Sequence, residues 1–516
     1  MNRTTLSLIA GTAALAAVTA FAAVDSPAAS GATAAGTAAR LPVERTSLVC
    51  PAPSTSDLAE TTYTSFTPVT KGAASGGAAR LRAAGEQSAH GGSGKDGKDG
   101  KGDKGDKGDT GEKGGGKKAG QPVLTPKAPG TPATGDTSGG DAPALLGTAD
   151  GAFAPGWTVQ ETTEVAAGTG RGLLGVTCAG ADTEFWFPGA STAAGRTDYV
   201  HLTNPDDSAA VVDIELYGKD GAIKAPLGEN LTVGPGASDA VLLPTLTEER
   251  QTDLTVHVSV RSGRVGAAVR ALDDKAGGDW LAPAADPAAD LVLPGIPKDA
   301  TDVRLIAFTP GDDDADLKIR LASPDGLITP AGHESAHVKS GMTAAVDLGD
   351  VTRGEAGSLV LTPTGQAVPV VAALQVVRGK GDQRETAFIP ATAAVGTRAT
   401  SAGNSAKGTT LALAAPEGTA TVKVTASAGS EGGTPAAKTY TIKSGTTQNV
   451  DAPVPTGLKG TYALTLEPVS GGPLYASRTL GATTRSTPAF TIQTLPTDHG
   501  LVSVPKTEQD LSILQK

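Results

Sequence analysis

The sequence predicts an all-β protein: tandem immunoglobulin-like antiparallel β-sandwiches of about 100 residues each, interrupted once by a disordered Gly/Lys/Asp-rich insert. Three observations lead there. Of 516 residues, 68 are Gly and 35 Pro, against 8 Phe, 6 Tyr and 3 Trp; such punctuation disfavours long helices and leaves Val, Leu, Ile and Ala to build the cores. Apolar residues alternate with polar ones, as Val256, Val258 and Val260 do with Thr255, His257 and Ser259, which is the period of a half-buried strand. The third observation is a repeat of about 100 residues, set out below.

The chain opens on Arg3 and an uncharged, mostly apolar run from Leu6 to Val24, closed by Asp25. With the small-x-small triplets Ala20-Phe21-Ala22 and Ala28-Ala29-Ser30, residues 1–24 read as a cleaved signal peptide, or alternatively as an uncleaved N-terminal anchor. Either reading places the rest outside the cytoplasm, secreted or held at the outer face of the cytoplasmic membrane, and makes any anchor the sole membrane contact. Residues 25–40 are expected to be disordered. The only cysteines are Cys50 and Cys178; in an exported chain they most simply form one disulfide, with two free buried thiols as the alternative, and they are too few for a structural zinc site.

Residues 41–181 read as a divergent first unit. Ser47-Leu48-Val49-Cys50-Pro51 resembles the strand that opens later units, and Trp157 to Thr177 their closing hairpin. A low-complexity linker over 71–143 interrupts it. Its centre reads KDGKDGKGDKGDKGDTGEKGGGKK from Lys95 to Lys118. Glycine recurs every third residue, but the phase slips between Gly100 and Gly102 and no Pro is present, so a solvated polyampholyte is a better reading than a collagen helix.

Units are then expected at 182–287, 288–384 and 385–487, with a closing strand and tail at 488–516. Strands ending in an apolar residue and Pro recur at Pro188, Pro294, Pro390 and Pro496. A strand broken by Pro and acid recurs at Pro205, Pro310 and Pro416; a strand–turn–strand centres on Gly236, Gly341 and Gly445; a hairpin centres on Gly263, Gly365 and Gly471. The extra strand after the last unit keeps a closed, propeller-like arrangement as the alternative to an open array.

Charge and motifs exclude more than they assign. With 43 basic and 54 acidic side chains the net charge is -11, so nucleic acid is not an expected partner. His333-Glu334-Ser335-Ala336-His337 is a literal HExxH, but zinc chemistry needs it on a helix. It aligns instead with a strand entering a turn, where the two His would lie about 13 Å apart. Gly170-Arg171-Gly172-Leu173-Leu174-Gly175 is a literal GxGxxG in a hairpin rather than a βαβ unit. The acidic turn Asp312-Asp313-Asp314-Ala315-Asp316 matches no defined calcium loop. No Ser-His-Asp set, GxSxG elbow or P-loop appears. The expectation is a non-catalytic scaffold or binding module without metal or cofactor, whose partner is an envelope protein or glycan. The alternative is a carbohydrate-binding protein stacking sugars on Trp186, Trp280, Tyr217 and Trp157; a weaker one is a zinc protease through HExxH.

Together the export segment, LVCPAP, GLLGVTCAGADTEFWFPGAST, LTNPDDSAAVVDIELYG and the low-complexity insert resemble an uncharacterised family of exported actinobacterial proteins, domain of unknown function family 5719. The resemblance spans Leu41 to the C-terminus. It implies an extracytoplasmic protein associated with envelope polysaccharide synthesis, since relatives tend to be encoded near glycosyltransferases. It carries over no activity.

Overall fold

A computed structural model describes residues 39–86, 122–484 and 487–504. The export segment, residues 25–38 and the Lys95–Lys118 run lie outside the described residues. Pro42–Gly500 form one compact body; separately, Ala39–Pro42 and Leu501–Val504 pair as a two-stranded ribbon. The described residues hold strands and four short 3-10 turns, with no α-helix.

The compact body contains four β-sandwiches, units I–IV, each made of an opening and a closing sheet with the same strand order. In unit I the opening sheet runs Arg45–Cys50, Leu145–Asp150, Ala79–Ala83, Pro122–Leu124 and the closing sheet Gly172–Thr177, Thr158–Val165, Ala59–Phe66, Ala133–Ser138. Unit II repeats this from Glu184–Ala190 to Gly277–Leu281, unit III from Leu291–Ile296 to Glu385–Pro390, and unit IV from Ala399–Asn404 to Thr487–Thr494. Alternation decides which face is inward: on Ala315–Ala322, Leu317, Ile319 and Leu321 are buried while Asp316 and Lys318 are exposed. The turn glycines Gly236, Gly341 and Gly445 have φ of 60°, 65° and 74°, a left-handed conformation that favours Gly.

Two expectations are corrected. The interval 71–143 is not all linker, because Ala79–Ala83, Pro122–Leu124 and Ala133–Ser138 are strands of unit I. In the first of these, Ala79, Leu81 and Ala83 point inward and Arg80 and Arg82 outward, an alternation obscured by the surrounding Gly and Ser. The second correction concerns Pro390. Its strand pairs with Val371–Arg378 and closes unit III, so that unit extends beyond 384 and unit IV opens at Ala399 rather than 385. Likewise Thr487–Thr494 pairs with Tyr475–Thr484 as the regular closing strand of unit IV. Opening and closing strands both approach an apolar-Pro pair, and the shared pattern hid which was which.

The opening strands of units II–IV each carry an irregularity, at Pro188/Ala190, Leu293/Ile296 and Ser401/Asn404. Gly189, Gly295 and Gly403 lie there with φ of 114°, 90° and 71°. Each lies where the neighbouring unit approaches: Phe388 and Ile306 at Gly189, Ser477 at Gly295, Thr64 and Gln160 at Gly403. In this way the opening sheet of one unit packs on the closing sheet of the next, and that of unit IV packs on that of unit I. The ring is therefore closed. Phe66 with Ala402 and Ala463 forms the last junction, where Arg398 donates to Thr70 Oγ1 (2.8 Å) and the Pro155 carbonyl (3.2 Å). The four closing strands meet in turn around the centre. There Phe388 joins the core of unit II, and Phe490 and Ile492 join that of unit III.

Candidate functional site

Where the closing strands converge they leave a cavity of about 320 Å³, whose apolar wall includes Trp157, Trp280, Phe388, Ile492 and Leu495. A polar chain runs through the same strands. Asp279 Oδ1 accepts from Gly175 N (2.9 Å), Trp280 N (2.8 Å) and Thr491 Oγ1 (3.1 Å). Gln493 donates to Thr491 Oγ1 (2.7 Å) and accepts from Arg478 Nε (3.1 Å) and Nη2 (2.7 Å). Gly175 is required here because a Cβ would meet Gln493 and Thr491. Burial raises the Asp279 carboxyl well above the carboxylate range and pushes Glu385 up to about 7, only partly opposed by Arg171. Asp279 Oδ2 and Glu385 Oε2 have no hydrogen-bond partner.

A second polar group lies between units I and II. Glu161, from the inner face of unit I, stands directly across the strand pair from Tyr63. Facing them are Arg270, His201 and Trp280 from the outer face of the unit II closing sheet. Arg270 lies 6.0 Å from the Trp280 ring centroid and 5.2 Å from that of Tyr199; the His201 and Trp280 rings are 5.0 Å apart, edge to face. All five side chains are buried. Tyr63 Oη, both Glu161 oxygens, both His201 nitrogens, Arg270 Nε and Nη1, and Trp280 Nε1 have no hydrogen-bond partner, a concentration that native interiors avoid unless water or a ligand completes it. Desolvation holds Glu161 well above its usual range, His201 well below, and Arg270 down at about 10. A cavity of about 210 Å³ reaches Arg270 past Ser54, Thr55, Ser56, Thr169 and Gly170.

The sequence-derived candidates fall elsewhere or change meaning. Cys50 and Cys178 form the disulfide across a sequence separation of 128, with Cα atoms 4.5 Å apart. Trp186 is buried in the II–III junction, its ring covered by His257 (centroids 3.8 Å) and Phe308 (5.4 Å), so it offers no open face. Tyr217 is half-buried against Phe308. Trp157 and Trp280 are buried too, but both line the central cavity. The HExxH segment contributes Ser335–Val338, an edge strand; His337 Nδ1 is 2.8 Å from Asp316 Oδ1. Asp313 and Asp314 accept from Gln366 Nε2 (3.1 Å) and Ser340 N (2.8 Å). Among the described residues no three His, Cys, Asp or Glu side chains are grouped to hold a metal. The GxGxxG run enters Gly172–Thr177, the closing strand of unit I at the end of its sheet.

The family of unknown function DUF5719 matches residues 133–453. The chain belongs to this family. No curated protein and no solved structure matches it. The DUF5719 match begins with the strand Ala133–Ser138 and takes in Glu161, His201, Arg270, Trp280, Asp279 and Glu385. Tyr63 and Arg478 lie outside it. Sequence reasoning missed the polar group of this DUF5719 protein. Glu161 was signalled, since Val159, Glu161, Thr163 and Val165 share one face of an alternating strand. Arg270 was not, because Ala268, Arg270 and Leu272 look like a solvated face until unit I covers them.

Proposed function

We propose that this DUF5719 protein is a non-catalytic binding scaffold, exported by its N-terminal segment, secreted or held at the cell envelope, and linked to envelope polysaccharide assembly. Its sandwiches are taken to be of the immunoglobulin-like kind, and its partner an envelope protein or glycan. The observation that carries this reading is the closed ring: four sandwiches with interlocking cores form one continuous frame around a central cavity, on which a binding platform can be built. Fractionation of cells expressing the full chain, followed by identification of what co-purifies, tests it. Recovery in the cytoplasm, or turnover of envelope polymers lost on changing one carboxylate, would overturn it.

A second reading, glycan binding, is favoured by Trp157, Trp280 and Phe388 in the central cavity, since sugar faces stack on aromatic rings. It moves the stacking site from the surface to the interior. Calorimetric titration with envelope oligosaccharides should then show saturable binding that Trp157→Ala weakens.

A further inference from the structure

We propose that the cavity between units I and II binds a small oxyanion, with Arg270 as its anchor. Arg270 is 2% exposed, and its Nε and Nη1 have no hydrogen-bond partner. Yet a guanidinium presents five donors, and leaving them bare inside a protein is costly.

The same molecule shows what a purely structural buried arginine looks like. Arg478, equally buried, gives Nε and Nη2 to Gln493 Oε1 and Nη1 to the Ala402 carbonyl and Asn404 Oδ1. Arg270 has no such set, and no carboxylate of the chain forms an ion pair with it among the described residues. Its neighbour Glu161 lies near enough to attract it but accepts no hydrogen bond from it, and the other groups facing the guanidinium are the Tyr199 and Trp280 rings. Trp280 Nε1, another donor without a partner, belongs to the ring that faces the guanidinium at 6.0 Å.

The approach fits an anion as well. The cavity of about 210 Å³ brings Ser54, Thr55, Ser56 and Thr169 to Arg270, and Thr55 and Thr169 are exposed at its mouth. Carboxylates and tetrahedral oxyanions alike accept paired guanidinium bonds, and hydroxyls complete their shell. Carboxylate, phosphate and sulfate share this chemistry. The site is independent of the scaffold reading, and its test does not depend on where the protein resides in the cell.

The test is calorimetric titration of the full, disulfide-bonded chain at constant ionic strength with acetate, glucuronate, inorganic phosphate and sulfate, and with glucose as the neutral control. At least one oxyanion should bind saturably and glucose should not; the oxyanion preferred identifies the source as a carboxylate, phosphate or sulfate group. Arg270→Gln should weaken binding about 10- to 100-fold, while Arg261→Gln, at an exposed arginine, leaves it unchanged. If Arg270→Gln does not fold, Thr169→Trp at the exposed mouth decides; it gives up the hydrogen bond from Thr169 Oγ1 to Asp274 Oδ1 (2.9 Å) and, with a cooperative thermal melt showing that it is folded, should abolish binding. No saturable binding by any oxyanion, equal binding of glucose and glucuronate, or full affinity in Thr169→Trp would overturn the proposal.

Discussion

Units I and IV each place a charge at the centre of a closing sheet, at one and the same position of the repeat. Glu161 lies between Tyr63 and Val176, and Arg478 between Leu411 and Gln493; units II and III have Val269 and Leu374 there. Arg478 meets acceptors for each of its three nitrogens, whereas neither carboxyl oxygen of Glu161 has a hydrogen-bond partner. The position tolerates an apolar side chain, so neither charge is demanded by the fold. In unit IV the surroundings have been built to saturate the charge. In unit I they leave it facing other unpaired groups, which makes the I–II junction the candidate for a binding role and the interior of unit IV a structural element.

The largest effect expected is from Arg478→Ala, which strands Gln493 and Asn404 and opens a void. It should lower unfolding free energy in urea by about 3–5 kcal/mol, while Arg478→Leu, the side-chain type unit III uses, should cost clearly less. Removing both cysteines should cost about 2–5 kcal/mol and expose unit I to protease before unit IV. By contrast Glu161→Leu should leave stability within about 1 kcal/mol of the parent or raise it, because no hydrogen bond is lost and a desolvated acid is removed. A loss as large as that of Arg478→Ala would erase the distinction between the units. The last effect is in pH dependence. Glu385 titrates at about 7 in the folded protein, above the ordinary carboxylate value. As pH rises from about 4.3 the unfolded chain ionises first, so the contribution of Glu385 to stability falls until about 7 and then levels. Burial raises Glu161 and Asp279 as well, so thermal melts from pH 4.5 to 7.5 should show a decline that Glu385→Gln makes shallower.

Much of the fold was legible because strand alternation and turn glycines are local. Val256, Val258 and Val260 announce their inward face without reference to anything distant, and Gly236, Gly341 and Gly445 announce their turns. The identity of the strand at Phe388-Ile389-Pro390 was not legible, since opening and closing strands differ in their partners rather than in their residues. The candidate site was less legible still. His201 and Arg270 occupy the outer face of their own sheet, and Trp280 the outer face of its strand; they become interior only because unit I packs against them. A charge whose burial depends on a neighbouring unit leaves no mark in its own strand.

The central claim is ring closure, and units I and IV meet at the closing junction. A Cβ on Gly403 would lie 3.6 Å from Cβ of Gln160, within the range a disulfide spans. In the Gln160→Cys/Gly403→Cys variant, mild oxidation followed by digestion and mass spectrometry should recover the peptides of units I and IV joined, with Cys50–Cys178 intact. Gly403 has φ of 71°, so the variant must first be shown to melt as the parent does; in such a variant, two free thiols at 160 and 403 beside an intact Cys50–Cys178 bond would mean that the sandwiches form an open array, and would contradict the account.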